Sequence, residues 1–131
     1  MKGYLIDPFE QTITGVLYDG DYRQIYHLIQ CQTFDVKAFI DEYNDLYIDD
    51  EGLYVDDQRF FGFTFNDDFV IAGRALVLGH DGQGGTTDTT LTLDFLKNVI
   101  EWKDETFERP EPFFEFTFVP DWDDTNDDIN R

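Results

Sequence analysis

Asp and Glu outnumber Lys and Arg by 29 to 9 in this chain, giving a formal charge of −20. Charge of that density usually keeps a chain unfolded, because too little apolar surface is available to offset the entropy of ordering. Here 41% of the residues are hydrophobic and 18% are aromatic, with 14 Phe among them. The chain is therefore expected to fold, and to carry a strongly anionic surface against its own repulsion. Its 131 residues fit one domain, which buries roughly 65–70% of its unfolded surface.

The same imbalance excludes classes of partner. Nucleic acids and anionic membranes both need a basic surface, so direct binding to either is not expected. Cys31 is the single cysteine, so no internal disulfide framework is possible, and a reducing compartment fits best. The N-terminal residues have no apolar run of signal-peptide length. No segment approaches the roughly 20 apolar residues of a membrane span. A cytoplasmic protein is the expectation. Surface adaptation to high salt is the plain alternative for the charge, but it would not require so many Phe and Tyr. The acids also cluster, where solvation alone would spread them.

Periodicity supplies the elements. Residues 4–6 and 11–18 read as strands around an Asp7-Pro8 turn. Tyr22, Ile25, Tyr26 and Ile29 are spaced at i, i+3, i+4 and i+7, which predicts a helix over 22–30 with Asp21 as its cap. Residues 33–40 alternate as a strand, with Phe34, Val36, Ala38 and Ile40 on one face. Leu46-Tyr47-Ile48 and Leu53-Tyr54-Val55 flank Asp49-Asp50-Glu51-Gly52. That pattern predicts a β-hairpin with an acidic tip and a positive φ at Gly52. Phe61, Phe63 and Phe65 should share a strand face, and the apolar run 69–78 should be one central strand. Asp81 to Asp88 reads as a flexible loop. Thr92 should cap a second helix carrying Leu93, Leu96 and Ile100, with Asp94 near the positive end of its dipole. Phe113–Val119 reads as a last strand behind Pro110 and Pro112. Residues 121–131 read as an acidic flexible tail after a domain spanning 1–120.

The predicted fold is α+β: a single domain with a mostly antiparallel sheet of five to seven strands, and two short helices packed on one side. Three segments also resemble a group of small uncharacterised proteins encoded by phages and mobile elements. They are Tyr4-Leu5-Ile6-Asp7-Pro8, Ile48-Asp49-Asp50-Glu51-Gly52-Leu53 and Ala72-Gly73-Arg74-Ala75-Leu76-Val77-Leu78-Gly79. The resemblance covers about residues 1–100. It implies a mobile-element origin and an α+β fold, and brings no catalytic residues. The chain departs from the pattern after about residue 103, where an acidic segment and a Phe-rich strand follow.

Chemistry-bearing motifs are few. The acidic positions abound, so a catalytic carboxylate pair could be drawn almost anywhere, which deprives any such pair of meaning without geometry. The chain has no Ser, which excludes a Ser–His–Asp triad. A Cys31–His80 couple has no local signature. Asp81-Gly82-Gln83-Gly84-Gly85 lacks the Lys-Ser/Thr of a phosphate loop, and no acidic stretch has EF-hand spacing. His27 and Cys31 stand at i and i+4, but zinc takes three or four protein ligands. No catalytic residue, metal or cofactor is expected.

What stands out is the run Asp41, Glu42, Asp45, Asp49, Asp50, Glu51, Asp56 and Asp57, with no basic residue between them. A second set, Glu101, Asp104, Glu105, Glu108, Asp121, Asp123 and Asp124, is interleaved with Trp102, Phe107, Phe113, Phe114 and Trp122. A solvated face is the plain reading of each acid alone. Taken together, 20 charges match those on roughly 34 Å of duplex axis, about 10 base pairs. The expected function is a DNA-mimic inhibitor from a phage or mobile element. Its partner would be a basic nucleic-acid-binding host protein, such as a restriction or RNA-guided defence nuclease. The alternative is an acidic accessory or homo-oligomeric domain without such a partner.

Overall fold

The computed structural model describes residues 1–38 and 41–109. The chain runs β1 (Lys2–Asp7), β2 (Thr12–Leu17), α1 (Arg23–Ile29), β3 (Phe34–Ala38) and β4 (Asn44–Asp49). A 3₁₀ turn at Gly52–Tyr54 follows, then β5 (Phe60–Phe63), β6 (Asn66–Ala72), β7 (Ala75–His80), β8 (Thr86–Thr87), α2 (Leu93–Val99) and β9 (Ile100–Trp102). Among the described residues the strands form two sheets. The larger has the order β2-β1-β7-β4-β3, with β8 also on β7, and the smaller has the order β6-β5-β9. Every pairing is antiparallel. The α+β class with mostly antiparallel sheets in one compact domain is therefore what the chain adopts.

The larger sheet is organised by β7, whose residues Ala75 to Gly79 are all buried. A strand covered on both faces reads as continuous apolar sequence, which is why this segment shows no alternation. Its odd residues Ala75 and Val77 join Ile6, Leu46, Phe61, Phe63, Ile71, Leu96 and Ile100 in one core. Its even residues Leu76 and Leu78 join Tyr18, Ile25 and Ile29 in another. Successive side chains of a strand point to opposite faces. So α1 covers one face of the large sheet, while α2 and the smaller sheet cover the other. The expectation of two helices on one side is corrected accordingly.

Other local expectations are also revised. The run 69–78 is two strands in different sheets, because Gly73 turns the chain at φ +84°, a conformation open to glycine at no steric cost. The expected 46–55 hairpin does not form. β4 pairs instead with β3 and β7, and the segment after it winds into the 3₁₀ turn. Gly52 is buried there without a positive φ, and an added Cβ would lie 2.8 Å from the Ala72 carbonyl oxygen. The glycine is required by close approach to β6. Phe61 and Phe63 are buried, but Phe65 lies in the β5–β6 turn, half-exposed and stacked on Phe63. Val36, on the margin strand β3, is likewise exposed; Ile40 lies outside the described residues.

Both helices form where the spacing placed them. Ile25 and Ile29 bury the inner face of α1. Its N-cap is Tyr22, without a side-chain cap bond; Asp21 instead accepts from the Arg23 amide at 3.0 Å and pairs with its guanidinium at 2.9 Å. Thr92 caps α2 as expected, its hydroxyl oxygen accepting from the Phe95 amide at 3.1 Å. Ile100 has already left that helix and opens β9. The 81–88 loop is braced by Asp81, whose carboxylate accepts from the Gln83 and Gly85 amides at 2.7 and 2.9 Å. The expected strand Phe113–Val119 and the tail 121–131 lie outside the described residues.

Candidate functional site

The acids singled out in the sequence fall into separate places. Asp41 and Glu42 stand before β4, and Asp49, Asp50 and Glu51 stand at its far end. A strand of this length rises about 3.4 Å per residue, so the two groups lie roughly 20 Å apart. Asp41 is a structural residue: its Oδ1 accepts from the Tyr43 amide at 2.9 Å and from Asn44 Nδ2 at 3.0 Å. Asp45 is half-buried with His80 Nε2 at 3.9 Å. Asp56 and Asp57 are exposed, Asp57 with φ 55°.

The second acidic set is partly brought to the first. Arg109 donates to the carbonyl oxygens of Leu53 and Val55 at 2.7 and 2.9 Å and lies over the Phe60 ring. This ties residues 103–109, with the exposed Asp104, Glu105 and Glu108, to the 3₁₀ turn. Asp104 is held below the ordinary carboxylate range by bonds from Thr106, with the Arg59 charge as a lesser cause. Glu101 lies on β9 and pairs with Lys103 Nζ at 3.3 Å. Asp121, Asp123 and Asp124 lie outside the described residues.

A groove gathers acids from three separate segments. The smaller sheet has three strands across and the larger has five on its main path, so the larger overhangs. Register puts Asp35 opposite Ile48 and Lys37 opposite Leu46, on the face that carries the shared core. Beneath that overhang lies a groove of about 660 Å³, lined by Asp35, Lys37, Asp49, Asp50, Asp67 and Asp68 with a floor that includes Ile48, Leu53, Val70 and Ile71. Five of these six residues are Asp and one is Lys, and strand alternation turns the Asp49 side chain to the other face of β4, toward Cys31. Among the described residues none of the six enters an ion pair. A concave surface with low-dielectric walls focuses such a field.

Asp35, Asp67 and Asp68 were not among the expected partner-binding residues. Asp67-Asp68 fell in the gap between two apolar runs, and only the packing of β6 beside β4 brings them to Asp49 and Asp50. A second depression of about 430 Å³ shares Asp49 and Tyr54 with the groove and is lined also by Gln30, Cys31, Glu51 and Val55. Burial, with the Asp49 charge as the lesser cause, pushes the Cys31 thiol up to about 11. His27 is exposed on α1. Among the described residues no three His, Cys, Asp or Glu side chains are grouped to hold a metal ion. Among them also, no helix is long and apolar enough to cross a membrane.

Two segments that carried the family resemblance meet elsewhere. Arg74 Nε donates to Asp7 Oδ2 at 3.3 Å, its Nη1 donates to Gln30 Oε1 at 3.2 Å, and its guanidinium lies over the Phe9 ring. Asp7 Oδ1 also accepts from the Phe9 amide at 2.9 Å. This half-buried knot joins the β1–β2 turn, the end of α1 and the β6–β7 turn, and its bonds are satisfied within the fold.

Residues 1–101 match the model of a family described as a domain of unknown function, DUF3846. No curated protein and no solved structure matches the chain.

Proposed function

The chain belongs to the DUF3846 family, and for this member we propose an acidic, DNA-mimicking inhibitor that binds a basic nucleic-acid-binding protein. It is a binder and not an enzyme, and it does not bind nucleic acid itself. Its natural targets are host defence nucleases, restriction or RNA-guided, met in the host cytoplasm. Its origin in a phage or mobile element rests on the resemblance of its three short segments to such proteins. The observation that supports the reading most is the groove whose lining holds five Asp residues against one Lys. A basic protein surface would gain both steering and contact energy there.

The test is a pull-down from host lysate at low salt, followed by competition with duplex DNA. The expected result is capture of a basic nucleic-acid-binding protein that both DNA and salt displace, since exchange of condensed counterions makes such contacts steeply salt-dependent. Capture that DNA does not displace would refute mimicry. Leu17, 73% exposed on the margin strand β2, favours a second reading as a homo-oligomeric accessory domain. Light scattering that gives a monomer at all concentrations would remove it.

A further inference from the structure

We propose that the groove between β3 and β6 receives an extended, basic peptide segment of the partner, and not the rigid floor of its DNA-binding cleft. The inference rests on the reading of this protein as a binder of a basic protein, and it specifies which part of that protein is held. Among the described residues, β3 ends the larger sheet and β6 ends the smaller one. Each has one strand neighbour, so each presents an open row of backbone donors and acceptors, the template for an added strand.

The dimensions suit a strand. β6 spans Asn66–Ala72 and β3 spans Phe34–Ala38, so at about 3.3 Å per residue the groove accepts roughly five to seven extended residues. A volume near 660 Å³ lies within the usual range of about 300–1,000 Å³ for a ligand pocket. The lining is of two kinds. Exposed carboxylates come from Asp35 on β3 and Asp67 and Asp68 on β6, and the less exposed Ile48, Val70 and Ile71 supply an apolar floor. An extended segment points successive side chains to opposite sides. One that alternates basic and apolar residues would put its apolar side chains on the floor and its ammonium or guanidinium groups at the rim.

Charge selects the occupant. A second copy of this chain carries −20, so it is repelled. The chain's own residues 110–131 contain Glu111, Glu115, Asp121, Asp123, Asp124, Asp127 and Asp128 against Arg131, and they are repelled too. A folded DNA-binding cleft is concave, and it cannot reach a floor that is itself recessed. A basic tail or loop can.

The experiment measures fluorescence anisotropy of labelled octapeptides with the full-length protein at low salt. One peptide alternates Lys and Val, one alternates Lys and Gly, and one alternates Glu and Val. The Lys–Val peptide should bind about tenfold more tightly than the equally charged Lys–Gly peptide, a difference that burial of a single Val side chain supplies. The Glu–Val peptide should not bind. Asp67→Lys with Asp68→Lys should weaken Lys–Val binding about tenfold or more, through lost surface pairs and new repulsion. Glu10→Lys with Asp94→Lys, an equal change of charge at exposed positions outside the groove, should change it less than about twofold. Circular dichroism checks the fold, and Asp67→Asn with Asp68→Asn provides a milder variant in the same direction.

Equal binding of Lys–Val and Lys–Gly, with equal effects of the two double-lysine variants, overturns the groove while leaving an anionic binder of basic proteins intact. Failure of both basic peptides while the lysate pull-down succeeds also overturns the groove alone. Failure of the peptides and the pull-down together overturns the underlying reading as well.

Discussion

Asn44 is fully buried at the start of β4, and its replacement by Ala tests how the large sheet is held to the segment before α2. Its Oδ1 accepts from Thr89 Oγ1 at 2.6 Å and from the Thr90 amide at 3.1 Å. Its Nδ2 donates to Thr90 Oγ1 at 2.8 Å and to Asp41 Oδ1 at 3.0 Å. Asp41 and Thr90 are exposed, so their side chains regain water and their share of the loss is small. The Oδ1 bonds are the expensive ones. Each is worth about 1 kcal/mol net, and a part-buried amide left without a partner costs about 1–3 kcal/mol. Asn44→Ala should therefore lose about 2–3 kcal/mol. For a domain of this size that is about 4 °C per kcal/mol, so Tm should fall by about 8–12 °C. Asn44→Asp should be worse than Ala at neutral pH, because it removes the donor and sets a carboxylate against Asp41. Thermal unfolding followed by circular dichroism, with urea titration as a check, measures both. A Tm within about 2 °C of wild type for Asn44→Ala would refute the reasoning.

Gly52→Ala should destabilise by about 1–3 kcal/mol in a urea titration, since the new methyl meets the backbone of Ala72; an unchanged midpoint would mean the 3₁₀ turn can move off β6. Cys31 should react with iodoacetamide at pH 8 roughly 100-fold more slowly in the native protein than in the unfolded one, because its raised pKa removes thiolate; equal rates would show the thiol to be free of that environment. Asp81 is held below the ordinary carboxylate range by amides that donate to it. The loop it braces should thus keep its amide signals unchanged above about pH 4 and shift only as pH falls through the folded value; an NMR titration with an ordinary midpoint would contradict this. Added NaCl should raise Tm by screening repulsion among the 29 acids, and a Tm that falls with salt would show that attractive pairs dominate instead.

The sequence disclosed what is decided locally. The Thr92 cap, the apolar stripe of Ile25 and Ile29, and the strand β2 itself are each set within a few residues, and each formed where expected. Pairing decided the rest. Asp49-Asp50-Glu51-Gly52 has the composition of a hairpin tip, yet β4 pairs along its two edges with β3 and β7 instead. Gly73 looked like an interruption in one strand because periodicity cannot tell a pause from a change of sheet. The groove was illegible for the same reason. Asp35, Asp49 and Asp67 are far apart in the chain, and they become neighbours only when a narrow sheet packs on a wide one.

The central position of β7 also sets a clock on the ribosome. Ile6 pairs with Ala75, so β1 is made about 70 residues before the strand that completes it. At about 5–20 residues per second the early hairpin waits roughly 4–14 s for that partner. Throughout that wait the apolar side chains of β1 are exposed, and those of α1 and β4 join them as they are made. A neutral chain in that condition would pair with its neighbours on the same messenger. Here every nascent copy already carries Asp7, Asp19, Asp21, Asp35 and the acids of 41–57, so copies repel one another before any of them has a core. The charge that we assign to a partner in the finished protein thus first acts as the chain's own protection during synthesis.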